Sequence, residues 1–318
     1  MLAACGMGVY LVTGGGGFIG SSLADALLAA GERVHVIDDF STGRRENLEG
    51  LRGVELFEGQ LQDRALLARA LEGVEVVFHQ AAIPSVSRSV DDPVGSMDAN
   101  AIGTTALIDG ARRAGVKRIV FAASSSAYGQ TEQLPKIETM RPEPLSPYAV
   151  SKITGEQMLR VASALYGLET LSLRYFNVFG PKQDPSSQYA AVIPNFITAA
   201  LRGTRPTVYG DGEQTRDFCY IDNVVQANLN AASSSRKLSG EVINIACGER
   251  ISLNQLLTMI GEVAGVRFEP EYLPARAGDV RDSLADISAA KALIDYDPKV
   301  RVAEGIARTF AAFQARYA

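Results

Sequence analysis

The chain has few of the residues on which many active sites depend. Its 318 residues include no tryptophan, two histidines and three cysteines. His35 and His79 each lie in an apolar run typical of a strand, so we expect neither a histidine-based triad nor a metal site. Cys5, Cys219 and Cys247 lie far apart without CxxC spacing, which argues against a disulfide framework or a zinc site. This cysteine usage suits a reducing compartment, and we predict a cytoplasmic protein.

Long runs of one residue character are also missing. No apolar stretch reaches the roughly 18 residues expected of a membrane-spanning helix. The net charge is −5, the pI is near 5.3, and no block of like charge stands out. We therefore expect neither nucleic acid nor a membrane among the partners of this chain, and an anionic ligand would have to be held by local arginines.

Short β-rich segments alternate with amphipathic segments through the first half of the chain. Strands are predicted at Val9–Thr13, Arg33–Asp38, Val54–Phe57, Val76–Gln80, Arg118–Ala123 and Thr170–Tyr175. Helices are predicted at Ser21–Ala30, Arg64–Leu71, Gly103–Arg113 and Ser151–Leu165. This alternation predicts an α/β fold with a Rossmann-type, doubly wound parallel sheet.

After about residue 178 the alternation gives way to longer segments rich in proline, glycine and aspartate. We predict that a second, smaller α/β substrate domain starts there, comprising about residues 179–218 and 251–318. Val242–Ala246 is typical of a buried strand, so the chain is expected to return to the first domain. That domain would comprise residues 1–178 and about 219–250. The last helices are predicted at Leu253–Val263 and Val302–Ala315.

A glycine-rich turn, Gly14–Gly20, follows the first predicted strand and opens the first helix. Such glycines let backbone amides approach a pyrophosphate, and the helix N-terminus adds about half a positive charge. Asp38 ends the second predicted strand, where its carboxylate can accept hydrogen bonds from an adenosine ribose and repel a 2′-phosphate. We therefore predict NAD as the cofactor. Arg44 and Arg45, in the next loop, keep NADP as an alternative.

Tyr148 and Lys152 point most directly to chemistry. Their spacing of four residues puts a phenol and an ammonium on one face of a helix. A free tyrosine titrates near a pKa of about 10, so it is a useful base at neutral pH only if a nearby cation favours the phenolate. We predict that Tyr148 is the base and Lys152 the cation, with a solvated helix face as the alternative.

Ser124 ends the fifth predicted strand, within the sequence Ser124-Ser-Ser-Ala-Tyr128. Open α/β sheets bind ligands at the carboxyl ends of their strands. We therefore predict that Ser124 hydrogen-bonds the substrate hydroxyl that Tyr148 deprotonates. A serine-rich turn without a role in catalysis is the alternative.

Taken together, these motifs resemble the extended short-chain dehydrogenase/reductase family. Within it, the chain is similar to the NAD-dependent sugar-nucleotide epimerases, including the UDP-galactose and UDP-N-acetylglucosamine 4-epimerases. The resemblance covers nearly the whole chain and rests on Gly14-x-x-Gly17-x-x-Gly20, Asp38, His79-Gln-Ala-Ala82, Asn100-x-x-Gly103-Thr104, Ser124-Ser-Ser126, Tyr148-x-x-x-Lys152 and Arg174-Tyr-Phe-Asn177-Val-Phe-Gly180.

For the cofactor, the resemblance implies that Lys152 holds the nicotinamide ribose and also lowers the pKa of Tyr148. Phe176 would adjoin the nicotinamide, and Gln60 stands where the family commonly has an aspartate near the adenine. The implied cofactor-binding set is Gly14, Gly17, Phe18, Ile19, Gly20, Asp38, Asp39, Ser41, Thr42, Gly43, Gln60, Leu61, Gln80, Ala81, Ala82, Asn100, Ser124, Tyr148, Lys152, Tyr175 and Phe176.

For the reaction, family members that dehydrate or decarboxylate generally carry an acid in the strand-end motif, because loss of water needs a second proton-transfer group. This chain has Ser125 and Ser126 there. The resemblance therefore implies a 4-epimerase. Hydride would leave the sugar C4 for NAD⁺, the 4-keto sugar would rotate, and hydride would return to the other face, with NAD held and recycled.

For the substrate, the resemblance implies a UDP-sugar. Arg216 and Arg276 would hold the diphosphate, because arginine presents paired donors to phosphate oxygens. The other implied substrate contacts are Thr207 and Tyr209 at the uracil, Asn177 and Val192 at the phosphate and sugar, Asp279 at a ribose, and Ser85, Ser124, Ser126, Tyr148 and Ala191.

Ser283 stands at a family position where a bulky tyrosine limits the space beside the sugar C2. A small residue leaves room for an N-acetyl group, so we hypothesise that UDP-GlcNAc and UDP-GalNAc are accepted alongside UDP-Glc and UDP-Gal. A UDP-glucuronate 4-epimerase, or another 4-keto-forming member of the family, is the alternative, and it would need a cation near the sugar C6. A non-catalytic NAD-binding scaffold is a third reading, but such proteins usually lose the tyrosine or the lysine.

The predicted Ser151–Leu165 helix carries apolar residues around much of its circumference. They are Ile153, Met158, Leu159, Val161 and Leu165. We therefore predict a homodimer, with simple burial in the core as the alternative.

Overall fold

A computed structural model describes residues 8–184, 192–275 and 280–317 of the chain. Its strands are β1 (Val9–Thr13), β2 (Arg33–Asp38), β3 (Val54–Glu58), β4 (Val76–His79), β5 (Arg118–Ser124), β6 (Glu169–Tyr175), β7 (Val178–Phe179), β8 (Thr207–Tyr209), β9 (Thr215–Arg216), β10 (Cys219–Tyr220), β11 (Ser239–Ile245), β12 (Ile251–Ser252) and β13 (Glu271–Leu273). Its α-helices are α1 (Phe18–Ala29), α2 (Arg64–Ala70), α3 (Val86–Asp91), α4 (Pro93–Met97), α5 (Gly103–Ala114), α6 (Pro147–Tyr166), α7 (Val192–Arg202), α8 (Ile221–Ser233), α9 (Leu253–Ala264), α10 (Ser288–Ile294) and α11 (Val302–Tyr317).

Seven strands form one sheet in the order β11, β6, β5, β4, β1, β2, β3. All neighbouring strands are parallel. The predicted doubly wound parallel sheet is therefore confirmed. The chain runs from β1 outward to β2 and β3 and then crosses back to β4 on the other side of β1. The carboxyl ends of β1 and β4 thus flank the crevice at which open α/β sheets bind their ligands.

Helices cover both faces of the sheet. Because successive side chains of a strand point to opposite sides, a single strand can contribute residues to two apolar cores. Leu11 of β1 belongs to a core with α2, α5 and α6, whereas Val12 belongs to a core with α1 and α8. The second core continues without a break into the C-terminal half of the chain, where it includes Phe196 of α7 and Leu256 of α9. The seven-stranded sheet and the C-terminal elements therefore share one apolar interior.

Five of the described helices were not predicted from the sequence, namely α3, α4, α7, α8 and α10. In α8, asparagines interrupt the apolar pattern, but Asn223 and Asn228 are buried and hydrogen-bonded. A polar side chain can be buried when partners satisfy its hydrogen bonds. The buried face of α8 therefore lacks a continuous apolar pattern, and the helix could not be recognised from the sequence. The short helices α3 and α4 lead through a π-helix, Asp98–Ile102, into α5, and their boundaries are set by the caps Ser85 and Asp92.

A buried ion pair joins α6 to β6. Arg174 donates from Nε and Nη2 to the two carboxylate oxygens of Glu156, both at 2.8 Å. The two side chains are only 3% and 1% exposed. The guanidinium carbon of Arg174 also lies 4.7 Å from the ring centroid of Tyr128. Because both charges are desolvated, each depends on the other for its stability in the interior.

We predict that Glu156→Gln lowers the free energy of unfolding by about 3–5 kcal/mol, because it leaves the Arg174 guanidinium buried without its counter-charge. Denaturant unfolding followed by circular dichroism measures the effect. The matched control is Asp109→Asn, which breaks exposed ion pairs with Arg112 and Arg113 in α5 and should change the stability much less. Equal effects of the two substitutions would contradict the assigned role of the buried pair.

Candidate active site

The glycine-rich turn lies at the carboxyl end of β1. Gly14 has φ 68°, and a Cβ there would come within 2.7 Å of the Ala81 backbone, so only glycine lets the loops after β1 and β4 approach this closely. Gly17 is the N-cap of α1, and no side chain of the described residues caps that helix. The first amides of α1, which begins with Phe18, Ile19 and Gly20, are therefore available to an anionic group.

Asp38 lies beside this turn at the end of β2. Its Oδ2 accepts a hydrogen bond from the Gly16 amide at 2.8 Å, and its Oδ1 accepts one from the Phe40 amide at 2.7 Å. Burial raises the pKa of this carboxyl group, while the two amide hydrogen bonds oppose the shift. Each carboxylate oxygen keeps a further lone pair that can accept from a ribose hydroxyl.

Arg44 and Arg45, which made NADP an alternative cofactor, each form ion pairs with carboxylates. Arg44 forms ion pairs with Glu46 at 3.4 Å and with Asp184 at 3.6 Å. Arg45 pairs with Glu58 at 2.5 Å and stacks over the ring of Phe40. A 2′-phosphate would have to compete with these carboxylates for both guanidinium groups, and it would also face Asp38, so the surroundings favour NAD.

The residues predicted near the adenine lie in the loops after β2 and β3. The Nε2 atom of Gln60 is 3.5 Å from Oδ2 of Asp39, whose Oδ1 accepts the Ser41 amide at 2.9 Å. Leu61 is buried in the apolar core. The structure thus brings Asp39, Ser41, Thr42, Gly43, Gln60 and Leu61 to the same edge of the sheet as Asp38.

Gln80, at the end of β4, is fixed by a polar network on the other side of the crevice. Its Nε2 donates to Asn228 Oδ1 and to the Tyr175 hydroxyl, both at 3.2 Å, and Asn228 Nδ2 donates to the same hydroxyl at 2.8 Å. Burial raises the pKa of Tyr175. Phe176 follows, fully buried. Asn228 was missed from the sequence because it lies in the unpredicted helix α8.

Asn100 connects the loop after β4 to helix α6. Its Oδ1 accepts the Ile83 amide at 2.8 Å, and its Nδ2 donates to Ser151 Oγ at 3.0 Å. The predicted cofactor residues Ala81 and Ala82 stand directly before Ile83 in this loop. Asn100 therefore acts on the crevice through the position of a loop and a helix.

Tyr148 lies in the first turn of α6, three residues earlier than the predicted start of this helix. Pro147 has no amide hydrogen and suits the first helical position, while Ser146 caps the helix by accepting the Ala149 amide at 3.2 Å. The Tyr148 amide has no carbonyl partner within the helix, and it donates to Ser89 Oγ at 3.0 Å. The fully buried Ser89 of α3 is thus a positioning residue that the sequence did not reveal.

Lys152 extends beneath Tyr148 toward β5. Its Nζ donates to the Ala122 carbonyl at 2.8 Å and lies 4.9 Å from the ring centroid of Phe121 and 5.9 Å from that of Tyr148. Ser124, at the end of β5, is near enough to the Tyr148 hydroxyl to lower the pKa of the phenol by side-chain hydrogen bonding. The three residues predicted to be catalytic are therefore brought together.

Burial is the main electrostatic effect at this site. It lowers the pKa of Lys152 to about 7, and the charge of Glu156, one turn farther along α6, opposes this shift. Burial also raises the pKa of Tyr148, and the hydrogen bond with Ser124 opposes that shift. Burial is the largest influence on the phenol here, and the expectation that Lys152 lowers the pKa of Tyr148 stays a prediction.

On the substrate side, Asn177 and Ser283 are in direct contact. Asn177 has φ 33°, and its Nδ2 donates to the Asp217 carbonyl at 2.9 Å and to Ser283 Oγ at 3.3 Å. The Ser283 amide donates to the Thr215 carbonyl at 3.1 Å. Next to it, Nη1 of Arg216 donates to the carbonyls of Thr215 and Arg281.

The buried Asp217 holds together the segments around Asn177 and Ser283. Its carboxylate accepts the amides of Cys247, Gly248 and Ala285 at 2.9, 3.1 and 3.2 Å. Burial raises its pKa to about 7, and the three amides oppose that shift. Asp217 therefore joins the end of β11 to the segment that carries Ser283, a role that its place beside Arg216 in the sequence did not suggest.

The remaining predicted substrate residues are spread more widely. Ser85 caps α3 by accepting the Arg88 amide at 3.0 Å, and Val192 begins α7. Thr207 and Tyr209 lie on β8, which pairs with β13. Ala191, Arg276 and Asp279 lie outside the described residues.

His79 has a structural place in the sheet. Its Nδ1 lies 2.7 Å from Thr13 Oγ1 and its Nε2 lies 2.8 Å from Thr104 Oγ1. Burial lowers its pKa to about 3, so the ring is neutral. In the described part of the chain, no group of three or more His, Cys, Asp or Glu side chains could hold a metal ion. Nor does any described helix have the length and apolar character required to cross a membrane.

Comparison with known proteins gives consistent matches along the chain. Residues 10–246 match the NAD dependent epimerase/dehydratase family. The chain is 40% identical to a UDP-glucose 4-epimerase of Mycolicibacterium smegmatis over 309 residues, which cover 96% of this chain and 98% of that protein.

Two solved structures are also similar to it. One is the UDP-N-acetylglucosamine 4-epimerase from Methanobrevibacter ruminantium M1 in complex with UDP-N-acetylmuramic acid, with 38% identity, a TM-score of 0.93, and coverage of 98% of this chain and 100% of that one. The other is the UDP-glucuronic acid 4-epimerase from Bacillus cereus in complex with UDP-glucuronic acid and NAD, with 31% identity, a TM-score of 0.90, and coverage of 97% and 100%.

Proposed function

The chain belongs to the NAD dependent epimerase/dehydratase family, and from this membership we propose that it is an NAD-dependent UDP-sugar 4-epimerase. The observation that carries the proposal is the grouping of Ser124, Tyr148 and Lys152 at the carboxyl end of β5, beside a crevice built for a dinucleotide. The serines at positions 125 and 126 favour epimerisation over dehydration, because they stand where an eliminating enzyme needs an acid.

The crevice fits NAD. The close approach at Gly14 leaves backbone where a side chain would block a pyrophosphate, and the uncapped amides of α1 face the same turn. Asp38 is oriented by two amides and can hold the adenosine ribose. Lys152 would hold the nicotinamide ribose. When bound, NAD supplies the hydride acceptor for C4 and a positively charged nicotinamide.

The proton at O4 is handled by the side chains of this chain. Tyr148 as phenolate accepts the proton from the sugar 4-hydroxyl, and Ser124 donates a hydrogen bond to O4 as it becomes a carbonyl oxygen. Because burial raises the pKa of Tyr148, the phenolate needs positive charge nearby. Glu156 contributes indirectly, because its charge favours the ammonium form of Lys152.

We infer that the sugar carries an N-acetyl group at C2 in at least one substrate pair, UDP-GlcNAc and UDP-GalNAc. The small, half-buried Ser283 supports this proposal, because its side chain is smaller than the tyrosine that limits the space beside C2 in the family, and its hydroxyl contacts Asn177. A solved relative, 38% identical, is a UDP-N-acetylglucosamine 4-epimerase. UDP-Glc and UDP-Gal, which are smaller at C2, fit the same space.

UDP-glucuronate is the alternative substrate, supported by the 31% identical relative that binds it. Its carboxylate requires a cation near the sugar C6. The small Ser283 favours an N-acetylated sugar instead, so the uronate ranks second.

We also propose that the protein is a homodimer. Exposed apolar side chains are concentrated on α3, α4, the π-helix and α6, elements that pack side by side. Among them Val94 is 78% exposed, Leu165 68%, Val90 62% and Ile102 55%. Leu159 is buried in the core, so the alternative reading holds for that residue of α6. A second copy of this surface would remove the exposed side chains from water.

The predicted division of the chain is retained as a proposal. The NAD-binding part would comprise residues 1–178 and about 219–250, and the UDP-sugar-binding part about 179–218 and 251–318. The position of β11 beside β6 supports it, because this strand adds the later segment to the first sheet. A cytoplasmic location also remains our proposal, based on the cysteine usage.

The direct test is to incubate the purified protein, without added cofactor, with UDP-GlcNAc, UDP-Glc or UDP-glucuronate and to resolve the epimers by chromatography. We expect UDP-GalNAc from UDP-GlcNAc. Tyr148→Phe should lower kcat by about 100-fold or more, because the base is lost. Tyr166→Phe is the matched control, since Tyr166 is exposed at the other end of the same helix. No turnover of any substrate, even with added NAD⁺, would exclude the proposal.

The substrate assignment makes a separate prediction. Ser283→Tyr should lower kcat/KM for UDP-GlcNAc relative to UDP-Glc by about tenfold or more, because the phenol fills the space beside C2. Ser283→Ala keeps a small side chain and should preserve the preference of the parent protein. If Ser283→Tyr leaves the preference unchanged, the residue does not limit the size of the C2 substituent.

Sedimentation velocity tests the dimer. We expect the parent protein to sediment as a dimer and Val94→Lys to sediment as a monomer, because a charge in an apolar interface is costly. Val263→Lys changes a 40% exposed valine on α9, outside the proposed interface, and should leave the dimer intact. A monomeric parent protein, or equal behaviour of the two variants, would argue against this interface.

A further inference from the structure

Ser124 has a second serine as its neighbour, and the contact between them is directional. The Ser126 hydroxyl donates to Ser124 Oγ at 2.8 Å. The Ser126 amide donates to the same oxygen at 3.2 Å. A serine oxygen has two lone pairs and one hydrogen. Both lone pairs of Ser124 are therefore occupied by the same residue, and its hydrogen is the part that remains available.

We propose that Ser126 is a positioning residue that makes Ser124 an obligate hydrogen-bond donor. With no free lone pair, Ser124 can donate to Tyr148 or to the sugar O4, but it cannot accept the proton of the 4-hydroxyl. Ser126 then acts through Ser124, a role different from the direct substrate contact implied by the family resemblance. The inference deepens the proposed epimerase function and rests on it.

The local fold holds Ser126 in this position. Ser124 is the N-cap of a 3₁₀-helix, Ser125–Tyr128, which places Ser126 one residue inside the turn. The end of that turn is anchored, because the buried Tyr128 hydroxyl donates to Asn244 Oδ1 at 2.6 Å. The Glu143 amide also donates to the Ala127 carbonyl at 2.9 Å. The two serines are therefore kept in register by contacts outside the substrate site.

The arrangement determines the path of the proton. As the alcohol is oxidised, the O4–H bond breaks and its proton passes directly to the Tyr148 phenolate. The electron pair of the C4–H bond leaves with its hydrogen to the hydride acceptor, and C4 becomes a carbonyl carbon. Ser124 keeps its own proton throughout and donates it in a hydrogen bond, first to the phenolate and then to the carbonyl oxygen. On the return step each transfer reverses.

Removal of the Ser126 hydroxyl frees one lone pair of Ser124, so that its hydrogen no longer has one preferred direction. The Tyr148 phenolate then loses part of its hydrogen-bond donor. We expect Ser126→Ala to raise the pKa of Tyr148 by about half to one pH unit, from the usual net contribution of one hydrogen bond. The acidic limb of the kcat profile should move to higher pH by the same amount.

The titration is measured by ultraviolet difference absorption of the tyrosinate, with and without Tyr148→Phe in each background. Subtraction isolates Tyr148 from the other tyrosines and needs no turnover. Ser126→Thr keeps the hydroxyl and should titrate like the parent protein. Ser126→Val, whose side chain has the shape of threonine without the hydroxyl, should behave like Ser126→Ala. Ser125→Ala is the control on the adjacent serine and should leave the titration unchanged.

The Thr and Val variants decide the outcome even if Ser126→Ala folds poorly, because they differ only in the hydroxyl. Equal Tyr148 titration in these two variants would overturn the proposal. It would also be overturned if Ser126→Val raised KM for the UDP-sugar while the pH profile of kcat stayed in place, since that result describes a direct substrate contact. A shift of the titration in a protein that epimerises none of the tested sugars would support the positioning role and reject the proposed function.

Discussion

Burial of the inner face of α6 against β5 and β6 is the constraint on which the site depends. Gly155 allows the helix to come close, because a Cβ there would lie 2.6 Å from the ring of Phe121. The same face carries Lys152 and Glu156, whose charges would be costly in an apolar interior without partners. The Ala122 carbonyl and the Arg174 guanidinium supply those partners. Catalytic geometry and helix packing are thus properties of one interface.

That interface by itself disfavours the charged forms of Tyr148 and Lys152. Burial lowers the pKa of Lys152 and raises that of Tyr148, so it favours the neutral form of both groups. Two features oppose the effect, the charge of Glu156 on the lysine and the hydrogen bond of Ser124 with the phenol. A ligand that brings positive charge to the crevice favours the phenolate further. The reactive protonation state is therefore coupled to occupation of the crevice.

The elements of the sheet could be predicted because β-rich and amphipathic segments alternate in the sequence and glycines mark the ends of several helices. The six strands of the first half appear within one residue of their predicted ends, and Gly115 and Gly167 end their helices in the left-handed conformation. The prediction missed several buried polar residues. Asn228 of α8 and Ser89 of α3 carry no apolar signal, and their roles consist of contacts with Tyr175 and Tyr148 that are distant in the chain.

The fold class, the glycine turn, the acidic end of β2 and the candidate catalytic groups could be recognised from the sequence, because they depend on local spacing and side-chain chemistry. The behaviour of those groups depends on how the chain packs. Desolvation sets the pKa values of Tyr148 and Lys152, and contacts between remote segments join Asn177 to Ser283 and Asp217 to β11. Such effects depend on which surfaces are removed from water together, and that is a property of the packed chain.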